Sequence, residues 1–179
     1  TERDGRIWQD DCVELFLDTN RDRRTFYQIV INANGIVHDR GPEVGVDWDA
    51  DIQVAANIGD EYWQIECAIP FADLDTVAQL GDTWGFNVGR ERKVQEELSL
   101  WSATGGDFRQ PDRFGDLVFT DLSAAPAVEM AHHPMFGLNE MTLMGPESAS
   151  PEIRFLRSWP GGDAPPWDYP APELADASS

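Results

Sequence analysis

Residues 8–18, WQDDCVELFLD, form the segment that most restricts how this chain can fold. Val13, Leu15 and Leu17 fall at every second position, with Cys12, Glu14 and Phe16 between them. Side chains alternate across a β-strand, so one set faces a core and Glu14 stands on the opposite face. Further strands are predicted at 25–33, 36–39, 52–58, 62–69, 84–90, 98–102 and 116–120, after a first one at 12–17. Asn34-Gly35, between IVINA and IVH, predicts a two-residue hairpin, and Gly59-Asp60 predicts a second turn. Pro70 ends its strand, and FADLDTVAQL has room for no more than a turn or two of helix. Short strands with regular turn signals argue for an all-β antiparallel β-sandwich, jelly-roll-like, or a barrel; we take the sandwich.

The composition changes near Asp121. Nine of the twelve prolines lie beyond it, and the chain ends in small polar residues. Residues 1–122 therefore read as one β-domain and 123–179 as an irregular Pro-rich extension, with at most a short helix around 134–144. The chain opens at Thr1 on a polar segment, which predicts a mature form, an excised domain or a fragment. At 41% hydrophobic residues it can build a core, and no apolar run is long enough to span a bilayer.

The formal charge is −20, and Lys93 is the one lysine among thirteen basic residues. Such a field repels nucleic acid and anionic lipid and leaves neutral ligands and cations as partners. It equally suits solubility at high salt. Cys12 and Cys67 form no CxxC motif; each lies in a predicted strand, where a buried thiol acts as a small hydrophobe, and a disulfide between them stays open.

Five segments, in this order, resemble the family 9 carbohydrate-binding modules: WQDDCVELFLD (8–18), YQIVINANG (27–35), WQIECAIP (63–70), GDTWGFNVGR (81–90) and LWS…FRQPDRFGDLVF (100–119). The resemblance implies a β-sandwich that binds sugars without cleaving them. Two aromatic rings would clamp a terminal sugar, at Trp8 and Phe108. Asp11, Glu14 and Arg109 would take its hydroxyls. Phe108 stands where a Trp is usual, and Val30 stands where the pattern has a basic residue. The family usually carries several strands before the first segment; either they belong to a missing part or the tail replaces them. If they are absent a sheet edge is exposed, which favours a fragment or a homo-oligomer, while the resemblance implies an attached catalytic domain. The resemblance further implies a saccharide or polysaccharide chain end as partner, a role accessory to polysaccharide degradation, and an extracellular or periplasmic setting.

Other signals are weaker. Asp18, Asn20 and Asp22 make D-x-N-x-D, the opening of a calcium loop, but Arg23 and Ile29 occupy the positions where such a loop needs Gly and Glu; a Ca2+ here stays open, and no cofactor is required. Asp47, Asp49 and Asp51 read as a solvated loop. Trp63, Trp84 and Trp101 read as core. Paired carboxylates could suggest glycoside hydrolysis, yet acids are so frequent that some pair is inevitable. His132-His133 beside Met130 and Met135 raises a haem-binding relative of the same fold. A structural or assembly sandwich without a sugar ligand is the principal alternative to sugar binding.

Overall fold

A computed structural model describes residues 2–60 and 62–119 and the backbone of 152–156. Nine strands are present among the described residues: β1 (Cys12–Asp18), β2 (Tyr27–Asn32), β3 (Val37–Arg40), β4 (Gln53–Ile58), β5 (Trp63–Pro70), β6 (Thr83–Arg92), β7 (Glu97–Leu100), β8 (Gly115–Val118) and β9 (Glu152–Leu156). Helical structure among the described residues is limited to short 3-10 turns at Ile7–Gln9, Phe71–Leu74 and Pro111–Arg113. No helix there is long and apolar enough to cross a membrane.

The strands build two antiparallel sheets. The larger runs β3-β2-β1-β6-β7, and β8 also pairs with β6. β6 is ten residues long, so β8 borders its first half and β7 its second. The smaller sheet runs β4-β5-β9. β9 comes from the segment that the sequence reads as an irregular extension; it supplies the third strand beside β5, from Glu66↔Leu156 to Pro70↔Glu152. The expected helix at 134–144 and the His132-His133 pair lie outside the described residues.

The alternation of β1 explains the layering. Val13, Leu15 and Leu17 join Ile29 and Ile31 of β2, Phe86 and Val88 of β6, and Ile65, Cys67 and Ile69 of β5 in one apolar core between the sheets. Burying one such aliphatic side chain is worth about 1.5–3 kcal/mol. Trp63 and Trp84 belong to this core, as expected. Trp101 does not: it follows β7, lies over Gly115 and stays 38% exposed. Arg90 is fully buried at the margin of the core face, opposite Val13 and Ser99. Its Nε and Nη2 have no hydrogen-bond partner, and burial pulls its pKa down.

Two turns carry the register. The first hairpin is one residue wider than Asn34-Gly35 alone suggests. The Asn32 N–H donates to the Ile36 carbonyl at 3.1 Å, which leaves Ala33, Asn34 and Gly35 as a three-residue loop. Asn32 Oδ1 accepts from the N–H groups of Asn34 and Ile36, and Gly35 takes the left-handed conformation at φ +76°. The second turn is where Gly59-Asp60 predicts it, closed by Gly59 N–H to the Tyr62 carbonyl at 2.9 Å. Cys12 and Cys67 are not joined. Cys12 lies on the outer face of the large sheet with Ile7 and Val30, whereas Cys67 faces the core.

Candidate functional site

The outer face of the large sheet carries the second set of β1 side chains, and it is also buried. Antiparallel register places them in cross-strand rows. One row runs His38 (β3), Val30 (β2), Glu14 (β1), Gly89 (β6) and Leu100 (β7). A neighbouring row holds Arg40, Gln28, Phe16 and Asn87. Phe16, Phe26 and Phe114 stack against one another with centroids 5.6–5.8 Å apart and close one end of the face. Beside them opens a cleft of about 460 Å³.

Trp8 enters this cleft through a local device. Ile7, its neighbour on the 3-10 turn, is fully buried against Cys12 and Val30, which pins the turn to the sheet. Trp8 lies along the cleft, 40% exposed, with its ring edge-on to His38 at 5.2 Å. Phe108 approaches from the other side, in the loop before the Pro111–Arg113 turn. Its ring lies directly on Gly89: a Cβ at that position would meet Phe108 Cδ2 at 2.6 Å. The absent side chain at Gly89 is what lets an aromatic rest on the sheet here.

Glu14 sits on the floor, 5% exposed. Gln28 Nε2 donates to its Oε2 at 2.7 Å, and Glu91 and Cys12 lie beside it. Burial pushes the Glu14 carboxyl up to about 7; the Gln28 hydrogen bond opposes the rise, and neighbouring Glu91 adds to it. Burial also raises the Cys12 thiol well above its ordinary range. Glu91 is held by Lys93. Arg109 lines the cleft rim and is held by Asp107 through two hydrogen bonds of 3.1 Å. That pair pulls Asp107 below the usual carboxylate range and raises Arg109 further.

Four of the five residues singled out from the sequence, Trp8, Glu14, Phe108 and Arg109, therefore line one cleft. Asp11 does not. Its Oδ1 accepts the Lys93 N–H at 2.7 Å and its carbonyl accepts the Ala33 N–H at 3.1 Å, so it clamps the start of β1 between two loops. Gln28, His38, Arg40 and Glu91 are lining residues that the sequence reading missed. Only the strand register brings them to the cleft, and the first hairpin's Asn-Gly signal was the available clue to it.

The Asp18–Asn20–Asp22 segment is tied into its own backbone. Asp18 accepts from the N–H groups of Asp22 and Arg23, Asn20 Oδ1 from Asp22 N–H, and Asp22 Oδ1 from Arg24 and Thr25 N–H. These bonds, the Thr25 amide first, lower the Asp22 carboxyl, while burial raises Asp18. A second acidic group, Asp4, Asp39 and Asp49, has a cation of its own: Arg3 Nη2 donates to Asp39 at 3.0 Å and to Asp49 at 2.7 Å. Asp47 and Asp51 are exposed, as a solvated loop requires.

The cleft presents two aromatic rings, a carboxyl, an amide and a guanidinium. Neither a curated protein nor a solved structure matches the chain. The family described as carbohydrate family 9 binding domain-like matches it over residues 1–122, the stretch that holds the described apolar core and every lining residue of the cleft, and the chain belongs to that family.

Proposed function

We propose that this protein is a non-catalytic carbohydrate-binding module whose ligand is the end of a saccharide chain. The ring packs between Trp8 and Phe108 above Val30. Glu14, Gln28 and Arg109 take its hydroxyls, with the charge-assisted bonds the stronger ones. No cofactor is required. The observation that carries this reading is the convergence of Trp8, Glu14, Phe108 and Arg109 on one cleft, although about a hundred residues separate the first from the last. A stacked aromatic pair adds about 0.5–1.5 kcal/mol beyond area burial, so binding is weak, on the order of micromolar to millimolar. A module of this kind serves a polysaccharide-degrading enzyme outside the cell, holding it at its substrate.

The test is tryptophan fluorescence during titration with a panel of mono- and disaccharides. A saturable change for one sugar is expected, weakened at least tenfold in Trp8→Ala. Trp8 is partly exposed, so the substitution leaves the melting transition within a few degrees. A flat response across the panel from folded protein would overturn the reading in favour of an assembly domain.

A further inference from the structure

We propose that the sugar end this cleft prefers carries a carboxylate, a uronic acid, and that Arg40 is the residue that receives it. The inference rests on the carbohydrate-binding reading above. It starts from Val30. There the cleft has an apolar floor, with Val30 only 1% exposed. The positive charge lies one strand further out, on β3. His38 is the direct cross-strand neighbour of Val30, and Arg40 is the neighbour of Gln28. Both line the cleft.

The charges around the cleft are not equivalent. Glu91 is engaged by Lys93, and Arg109 by Asp107. Glu14 accepts from Gln28 and is held toward its neutral form by burial. Arg40 is different: among the described residues it has neither an ion pair nor a side-chain hydrogen bond. Arg40 is exposed at the edge of the sheet, and the net charge of −20 opposes an anion at long range, so a preference for a uronate would rest on this one short-range contact. His38 cannot replace it, because its Nδ1 is buried without a hydrogen bond and points toward Asp4, 3.8 Å away.

The spacing fits the ligand. Strands lie about 4.8 Å apart, so β3 stands roughly 10 Å from β1 across the sheet. That span takes one pyranose ring over Val30 together with its exocyclic carboxylate. At the β1 end Glu14 meets hydroxyls, Gln28 on β2 lies between, and at the β3 end the planar guanidinium of Arg40 can take both carboxylate oxygens. A neutral sugar leaves that fork to water.

The experiment measures affinities of the full chain for matched pairs, glucose with glucuronate and galactose with galacturonate, by calorimetry at fixed pH and salt. We expect one uronate to bind at least tenfold tighter than its neutral parent. In Arg40→Gln the ratio should fall to within about twofold of one, and Arg40→Lys, which keeps the charge and loses the fork, should retain only part of it. Equal binding of uronate and parent by the unmodified protein overturns the inference and leaves the carbohydrate-binding reading standing. So does a preference that survives in Arg40→Gln. Absence of binding to all four sugars, from folded protein, overturns the inference, and the wider panel of mono- and disaccharides then decides the carbohydrate-binding reading.

Discussion

The two faces of the large sheet are both buried, yet they are buried differently. On the inner face, Val13, Leu15 and Leu17 meet the smaller sheet and the packing is apolar throughout the centre. On the outer face, Cys12, Glu14 and Phe16 meet loops rather than a sheet, and polar groups sit among the aromatics. Close packing of two sheets leaves no room for a ligand. A sheet covered by a 3-10 turn on one side and a loop on the other leaves a gap between its covers. In this protein the inner face makes the fold and the outer face makes the cleft, from adjacent residues of one strand.

Substitutions at neighbouring β1 positions should separate the two roles. Leu15→Ala removes a fully packed inner side chain and should cost about 2–5 kcal/mol, read as a drop in denaturation midpoint, with saccharide affinity of the remaining folded protein unchanged. If Leu15→Ala altered affinity and not stability, the division between the faces would be wrong. Glu14→Gln probes the outer face through pH. Below about pH 4.5 the wild-type carboxyl is protonated in both folded and unfolded states and costs nothing. As pH rises toward 7 the unfolded chain loses that proton first, so the wild type loses stability across this window and the full penalty persists above it. The amide keeps the Gln28 contact and carries no charge. Its stability relative to wild type should therefore be about 2–3 kcal/mol more favourable at pH 8 than at pH 4, measured by urea unfolding at both values.

Gly89→Ala should have the smallest effect on stability and a visible one on binding. The new methyl meets the Phe108 ring, which must lift off the sheet. We expect about 1 kcal/mol of destabilisation and a several-fold loss of saccharide affinity. Unchanged affinity would mean that Phe108 is a lid on the sheet and not a wall of the cleft.

The fold was largely legible in the sequence because period-2 alternation and turn chemistry are local. Eight strands lie within a few residues of their predicted places, and Trp8, Glu14, Phe108 and Arg109 line one cleft. Register was not legible. A two-residue loop at Asn34-Gly35 would pair Val30 with Asp39, whereas the three-residue loop pairs it with His38. One residue of slip moves every side chain of a strand to its other face. His38 and Arg40 line the cleft on that account, while Val37 and Asp39 point inward. Asp11 lies away from the cleft for a related reason: its partner is a backbone amide at Lys93, far along the chain, and no local pattern announces such a bond. Nor does anything local in the Pro-rich segment announce that β9 will lie beside β5.

The central place of β1 also fixes an order of events. On one side it meets β2, reached by a short connection, and on the other it meets β6, where Cys12 lies opposite Glu91. A chain emerging from the ribosome can form β1, β2 and β3 as a meander long before β6 exists. Throughout that interval one edge of the most apolar strand stands bare, an open template for pairing with another nascent chain. The acidic residues so abundant along this chain then do their work before there is a fold to solubilise, by keeping unfinished copies apart.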